Sequence, residues 1–271
     1  MLLAHISDLH FRPQGQKLYD FIDVNQKNAN VIAHLNALEE QPDAIVITGD
    51  IVNCGMQEEY IVAKRILGFL NAPVYIVPGN HDHKEYFLEA FKDICPLLGD
   101  DPSKMHYSVD FPQARLYFID SVVPGASYGE LSAETLQWLD QELAKNEKES
   151  YVFLHHPPIA FGNIQMDEIG CRNGAELLKL VDKYTHFTRI FCGHVHRVMF
   201  AQYKQAIIAS VSGTTHQVPY SYTDKTDRYS EEAGPILMHR HMDNVGLVSY
   251  CVHLQTKSPS YLYNPQISCF K

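Results

Sequence analysis

Positive charge is scarce in this sequence. Its 271 residues include 22 Lys+Arg against 32 Asp+Glu, which gives a net charge of -10 with histidine neutral. Proteins that bind nucleic acid without sequence preference need clustered cations to neutralise phosphates, and the sequence shows no Lys/Arg cluster. The composition therefore argues against a DNA- or RNA-binding protein, and against a nuclease as well.

Long apolar runs are also missing. No stretch approaches the ~20 residues that a helix needs to cross a bilayer. Residues 1–8 carry neither a basic region nor a small-residue cleavage site, and they are typical of a first strand rather than of a secretory leader. We therefore expect no membrane partner and a cytoplasmic location.

Cysteine is infrequent and scattered. The sequence has six cysteines and no C-x-x-C pair, which argues against a small disulfide scaffold and against a thiolate zinc site. Cys54 and Cys269 could be exposed, and a disulfide involving either of them stays open. The other cysteines are expected to be buried free thiols: Cys95, Cys171, Cys192 and Cys251.

The sequence does contain a regular alternation of strand and helix patterns. Short apolar runs typical of strands lie at 2–6, 44–48, 74–77, 105–109, 115–119, 151–154, 189–192, 206–211 and 247–252. Helical spacing of apolar residues lies at 31–38, 60–70, 85–91, 132–143 and 175–181. This order predicts an α/β layered fold with largely parallel strand pairing. The polar stretch 221–232 has no periodicity and is predicted to be a loop, either a boundary or a lid.

Polar side chains follow the predicted strands where each strand ends. Any one of these blocks could be an ordinary turn or helix cap, but a suitable ligand after strand upon strand is much harder to explain that way. Ligands of open α/β sheets bind at the carboxyl ends of strands, so we expect the blocks to converge. They are Asp8-Leu9-His10, Gly49-Asp50, Gly79-Asn80-His81-Asp82, His155-His156 and Gly193-His194-Val195-His196.

These blocks supply imidazole and oxygen donors without a thiolate. One metal ion rarely needs so many ligands, whereas two ions that share Asp50 would, and Gly49 allows a close approach to that carboxylate. Such donors favour Zn, Fe, Mn or Co, and two ions ~3.5–4 Å apart suit in-line phosphoryl displacement. The candidate ligands are Asp8, His10, Asp50, Asn80, His156, His194 and His196.

The ordered motifs D-x-H, G-D, G-N-H-D, H-H and G-H-V-H resemble the signature of the calcineurin-like metallophosphoesterases. The resemblance implies a four-layer α/β/β/α sandwich, with residues 1–200 as the core. Residues 201–271 would add C-terminal strands that complete the sandwich and a small cap or oligomerisation segment. It also implies two divalent ions, one held by Asp8, His10, Asp50 and His196, the other by Asp50, Asn80, His156 and His194.

Two departures favour one branch of that family. The Ser/Thr protein phosphatases carry an arginine shortly after the bridging aspartate and close G-N-H-E with glutamate, whereas this sequence lacks that arginine and has Asp82. It is similar to the class III cyclic nucleotide phosphodiesterases, and among them to bacterial glycerophosphodiesterases. Segments 21–25, 50–55, 191–194 and 267–269 extend the similarity.

The resemblance implies metal-dependent hydrolysis of small phosphodiesters. Glycerophosphodiesters such as glycerophosphoethanolamine would give an alcohol and glycerol 3-phosphate, and 3′,5′-cyclic nucleotides are the alternative substrates. It also implies broad specificity and a homo-oligomer. A monoesterase on the same metal pair, and a non-enzymatic scaffold that has kept the fold, are the competing hypotheses.

Further residues are candidates for the substrate side of the site. His81 is expected to donate to the phosphoryl oxygen or leaving group, and His216 to contact substrate. Asn53 could hydrogen-bond substrate or belong to a turn. Asp82 is expected to orient His81 or cap a helix, and His155 to be a structural neighbour of His156. Aromatic candidates for the pocket wall are Tyr19, Phe21 and Phe161.

Overall fold

Two mixed β-sheets form the centre of the computed structural model, which describes residues 1–226 and 228–254. The five-stranded sheet has the order β11-β10-β1-β2-β3, and the six-stranded sheet has the order β4-β5-β6-β7-β9-β8. The strands are β1 Leu2–Ile6, β2 Ala44–Thr48, β3 Val74–Val77, β4 Tyr107–Asp110, β5 Ala114–Phe118, β6 Glu149–Phe153, β7 Phe187–Cys192, β8 Met199–Tyr203, β9 Ala206–Ser210, β10 Ile236–Met242 and β11 Gly246–Val252.

Helices cover the outer faces of both sheets. They are α1 Val24–Asn36, α2 Gln57–Leu67, α3 Lys84–Phe91, α4 Ala133–Ala144, α5 Ile164–Asp167 and α6 Gly174–Lys183, with a 3₁₀ turn at Pro96–Leu98. α1, α2 and α3 pack with the five-stranded sheet, while α4 and α6 pack on the six-stranded sheet. The result is the four-layer α/β/β/α sandwich that the sequence predicts.

The period-two alternation of the strands determines which side chains lie between the sheets. Phe118, Phe153 and Phe191 belong to the cluster that the two sheets share, where Phe118 and Phe153 stack with ring centroids 5.1 Å apart. The alternating neighbours, such as Val152 and Ile190, pack against the helices instead. The alternation therefore directs Phe118, Phe153 and Phe191 toward the other sheet, while their strand neighbours pack against the helices.

The parallel strands carry the predicted motifs to one edge. β1 pairs in parallel with β2 and β2 with β3, and β6 pairs in parallel with β7. The loops that leave β1 and β2 continue the ladder for a few residues, since Asp8 N–H donates to Gly49 and His10 N–H donates to Asp50. Backbone hydrogen bonds alone thus hold the polar blocks side by side.

Some expectations fail for physical reasons. β8 and β10 were not predicted, because Met199–Tyr203 is only partly buried and β10 contains two histidines and an arginine. Cys95 and Cys192 are buried, but Cys171 is partly exposed and Cys251 is exposed. The buried thiol predicted for Cys251 is wrong because β11 is an edge strand in which only Leu247 is buried. Cys54 is exposed.

Other expectations fall outside what the structure describes. Cys269 and the segment 267–269 lie beyond the described residues. In the ranges 1–226 and 228–254, no helix is long and apolar enough to cross a membrane.

The aromatic layer between the sheets should carry much of the stability. Phe118 is 0% exposed, and we expect Phe118→Ala to lower the free energy of unfolding by about 3–5 kcal/mol, through lost burial and the cavity left behind. Phe200→Ala is the matched control, because that side chain is 55% exposed and should change stability by less than about 0.5 kcal/mol. Urea unfolding followed by circular dichroism measures both. Equal losses would contradict the assigned core.

Candidate metal centre

Tight left-handed turns place the site residues at the strand ends. Few residues other than glycine adopt positive φ, with aspartate and histidine among those that tolerate it best. Here the conformation recurs along the predicted motifs, at Asp8 (φ 54°), His10 (φ 49°), Asp50 (φ 50°), His194 (φ 71°) and His196 (φ 52°). Five of the seven predicted ligands therefore share the same uncommon backbone conformation.

Glycines allow the loops to approach one another closely. A Cβ on Gly79 would lie 2.2 Å from Asp50 Oδ1, and one on Gly193 would lie 2.0 Å from Ser7 Oγ. Gly49 has φ +92°, and its Cβ would meet His155 Nδ1 at 2.6 Å. The backbone of each motif therefore occupies the space that a side chain would otherwise need.

One group of donor atoms gathers around the end of β1. His196 Nε2 lies 3.4 Å from Asp8 Oδ1 and 3.2 Å from His10 Nε2. His10 Nε2 is 3.7 Å from Asp50 Oδ2. Ligands about 2.0–2.2 Å from one ion lie at roughly this separation from each other, so the group has the spacing of a single metal site.

A second group gathers around His155. Its Nε2 lies 3.1 Å from Asn80 Oδ1, 3.2 Å from His194 Nδ1 and 3.3 Å from Asp50 Oδ2. Because Asp50 Oδ2 belongs to both groups, the aspartate stands where the sequence predicts a bridging ligand.

The imidazoles are oriented from behind by oxygen acceptors. His155 Nδ1 donates to the Thr48 carbonyl at 2.7 Å, and His196 Nδ1 donates to the His216 carbonyl at 3.2 Å. A carbonyl oxygen only accepts, so Nδ1 carries a proton in both rings, and in His196 this leaves the lone pair on Nε2, facing the donor groups. The buried Nε2 of His194 has no hydrogen-bond partner. This donor chemistry fits two divalent ions.

His156 has different surroundings from His155. Its Nδ1 lies 2.8 Å from Ser121 Oγ, its ring centroid is 4.6 Å from that of His194, and its buried Nε2 has no partner. The motifs predict His156 as the ligand and His155 as its neighbour. Ligand atoms of His155, His156 and His194 all lie within 4.8 Å of one another, so both adjacent histidines belong to this group. Both ring nitrogens of His155 are engaged by protein atoms, whereas burial and the nearby imidazoles lower the pKa of His156 well below its usual value, which favours the neutral form that binds metal.

Burial and mutual charge set the protonation of these groups. Burial alone would raise the pKa of Asp50, but His155 and other nearby imidazoles hold it well below its usual value. Burial likewise opposes protonation of His155, yet the Asp50 carboxylate outweighs it and raises the pKa of His155 to about 9. Burial lowers the pKa of His10 and His194 well below the usual value, which favours the neutral imidazole that binds metal.

The predicted substrate-side residues lie on the open side of the donor groups. His81 is exposed, and its ring centroid is 4.7 Å from that of His10. The His216 ring is 5.1 Å from His10 and 4.4 Å from His196. Burial, together with His196 and His81, lowers the pKa of His216 to about 2. Both histidines therefore border the candidate metal positions.

Asn53 and Asp82 are hydrogen-bonded to other groups of the protein. Asn53 Oδ1 lies 3.2 Å from His10 Nδ1, and its backbone carbonyl accepts from His81 Nδ1 at 2.6 Å. The Asp82 carboxylate accepts from the backbone N–H groups of Ile51, Val52 and Gly79 and from the Tyr60 hydroxyl. It thus joins the loops after β2 and β3, and neither contacts the His81 ring nor caps α3, whose N-cap is His83.

Aromatic side chains form a rim beside His216. Tyr19 stacks on Tyr229 with centroids 4.2 Å apart, and each ring lies 6.0 Å from His216. Phe21 is 6.4 Å from Tyr19 and 55% exposed. Tyr229 comes from the polar loop 221–232, so part of that loop lies next to the site. Phe161 packs elsewhere, against a cluster around Met166, Val195 and Val218.

Comparison with known proteins agrees with this geometry. A glycerophosphodiester phosphodiesterase GpdQ of Enterobacter lignolyticus is 49% identical over 99% of this chain and 97% of its own length. The 3′,5′-cyclic adenosine monophosphate phosphodiesterase CpdA of Escherichia coli is 28% identical over 72% of this chain and 69% of its own.

A solved structure shares the fold. A dimetal phosphatase from Danio rerio superposes with a TM-score of 0.64 at 14% identity, over 94% of this chain and 99% of its own. The family model for calcineurin-like phosphoesterases matches residues 1–198, the span that contains every site residue described above except His216 and Tyr229. The chain therefore belongs to the calcineurin-like phosphoesterase family.

Proposed function

We propose that this protein hydrolyses small phosphodiesters, with glycerophosphodiesters such as glycerophosphoethanolamine as its main substrates. The observation that carries the proposal is the pair of donor groups that share Asp50 Oδ2. The 49% identity to a glycerophosphodiester phosphodiesterase over nearly the whole chain supports the substrate class. Water would add across the P–O bond to the alcohol, giving that alcohol and glycerol 3-phosphate.

The donor distances support a specific ligand set. Asp8, His10, Asp50 and His196 would hold one divalent ion, of Fe, Zn, Mn or Co. Asp50, Asn80, His156 and His194 would hold the other, and His155 would support it through its contacts with Asn80 and Asp50. Ions bound there would supply Lewis acidity toward phosphoryl oxygens and would lower the pKa of a water molecule for in-line attack.

His81 is placed to serve the phosphoryl oxygen or the departing alcohol. Its Nδ1 donates to the Asn53 carbonyl, so Nε2 is the nitrogen left for substrate. His216, beside His10 and His196, would line the other side of the same opening. Asn53, in contrast, is proposed to orient these rings rather than to bind substrate.

The arrangement of arginine favours a diester over a monoester. A monoester carries more charge than a diester at neutral pH and is usually clamped by a guanidinium. Arg12 lies near the turn after β2, but its terminal nitrogens contact Glu59, Cys54 and Gln16. Cyclic nucleotides are the second candidate substrate, on the observation that a relative named for 3′,5′-cyclic AMP hydrolysis matches most of the chain.

The assignment of His156 can be tested against its neighbour. We expect His156→Ala to lose about one bound ion per chain and at least about 100-fold in kcat, because it removes an imidazole whose buried Nε2 has no partner within the protein. His155→Ala, which removes an imidazole that contacts Asp50 and Asn80, should lose less metal. Metal analysis of the purified variants by mass spectrometry, alongside their turnover of bis(p-nitrophenyl) phosphate, measures this. Loss of metal from His155→Ala alone would make His155 the ligand instead.

The substrate class can be tested on the unmodified protein. After chelation, activity should vanish and return with Mn²⁺ or Zn²⁺. The reconstituted enzyme should then show a higher kcat/KM for glycerophosphoethanolamine than for 3′,5′-cyclic AMP, and a higher one for bis(p-nitrophenyl) phosphate than for p-nitrophenyl phosphate. A preference for the monoester would refute the diesterase proposal, and a preference for cyclic AMP would favour the second candidate.

A further inference from the structure

A buried ion pair lies behind the turn that follows β2. Arg12 Nη1 is 2.7 Å from Glu59 Oε1, and the two side chains are 17% and 0% exposed. Taking two charges out of water costs several kcal/mol for each ion, so replacing such a pair by apolar residues is often neutral or even stabilising. The location of this pair therefore calls for an explanation other than stability.

Glu59 binds the turn as well as the arginine. Its Oε2 accepts from the backbone N–H of Cys54 at 2.8 Å and from that of Met56 at 3.1 Å. The bond to Met56 belongs to the capping box at the start of α2, where Glu59 is the third helical residue. A capping box explains neither the bond to Cys54 nor the contact with Arg12.

Arg12 contacts the same turn through its guanidinium group. Its Nη1 also contacts Cys54 Sγ at 2.8 Å. Its own backbone is fixed to the start of α1, since Arg12 N–H donates to Asn25 Oδ1 and Asn25 Nδ2 donates to the Arg12 carbonyl. Residue 54 is thus held through its backbone by Glu59 and through its side chain by Arg12.

The residue before this anchored position is Asn53, which orients two imidazoles. Its Oδ1 lies 3.2 Å from His10 Nδ1, and its carbonyl accepts from His81 Nδ1 at 2.6 Å. One of these rings belongs to the candidate metal ligands and the other faces substrate. A shift of residue 53 would therefore move the hydrogen-bond acceptors of both rings together.

We propose that the Arg12–Glu59 ion pair is a positioning element that fixes the His10 and His81 rings through Asn53. Neither charged residue contacts the candidate metal ligands' donor atoms directly, so both act through the turn. The inference rests on the proposed function, because it takes His10 as a ligand and His81 as a substrate contact. One buried charge pair thereby couples the position of a metal ligand, His10, to the position of the substrate-side histidine, His81.

The test compares a neutralised glutamate with its exposed neighbour. Glu59→Gln removes the charge at nearly constant size, whereas Glu58→Gln makes the same change one residue earlier on an exposed side chain. We expect Glu59→Gln to weaken Zn²⁺ binding and to lower kcat by about 10–100-fold each, the range found when groups that orient ligands are removed. Its KM should change less than its kcat. Glu58→Gln should match the unmodified protein in all three.

A direct view of the rings comes from long-range ¹H–¹⁵N spectra of the full chain after chelation. The unmodified protein should show His10 and His81 protonated at Nδ1, and Glu59→Gln should lose or broaden those signals. Because neither the spectra nor the Zn²⁺ titration requires a substrate, they test the positioning separately from the diesterase activity. Unchanged spectra and unchanged Zn²⁺ affinity in a folded Glu59→Gln protein would overturn the proposal.

A double variant separates positioning from stability. Arg12→Met combined with Glu59→Met removes both charges and is expected to fold, because apolar side chains of similar volume can replace a buried pair. If the pair positions the rings, this folded protein should still lose about 10-fold or more in Zn²⁺ affinity and kcat. If it keeps the affinity and kcat of the unmodified protein, the pair serves packing alone and the inference is wrong.

Discussion

The carboxylate of Asp50 is the point on which the two halves of this fold converge. It follows β2 in the five-stranded sheet, and it meets His155, which follows β6 in the other sheet, at 3.3 Å. Its second oxygen accepts the backbone N–H of His81 at 2.9 Å, which fixes the loop after β3. A buried carboxylate in this position needs partners of opposite charge or metal ions, since burial alone disfavours its charged form. The surrounding histidines are the partners that this carboxylate needs, and the turns that carry them hold them around it.

Much of this arrangement could be predicted from the sequence, because strand ends are easy to locate. Short apolar runs followed by glycine and by polar side chains mark β1, β2 and β3, and parallel strands bring such ends to one edge. The choice between two adjacent histidines was harder. The alternation of β6 contains part of the signal: Phe153 faces the other sheet and Leu154 faces the helices. Continued past Leu154, the alternation turns His155 to the side of Phe153, where it contacts Asp50, but no local pattern shows that the buried Nε2 of His156 is left without a partner.

The parts that could not be predicted depend on contacts between segments distant in sequence. β10 contains His239, which is 0% exposed, and its polar sequence is tolerated because His239 contacts Ser249 Oγ at 2.8 Å and His5 at 3.4 Å. No local pattern reveals such a partner. Asn53 is a similar case, since its position after the bridging aspartate suggests a substrate contact. Only the three-dimensional structure shows that its oxygens are already engaged by two histidine rings.

The charge of the site differs from the charge of the chain. A net charge of -10 would by itself repel a phosphodiester, yet two of the acidic groups, Asp8 and Asp50, are buried among histidines. Two divalent ions would reverse the sign of that pocket while leaving the acidic surface unchanged, because a bound cation is the largest local charge in its site. Without ions, the pair of His155 and Asp50 partly balances itself, since the aspartate raises the pKa of the histidine to about 9. Divalent ions beside this pair would disfavour the positive charge of the histidine, so metal loading and release of that proton would be linked.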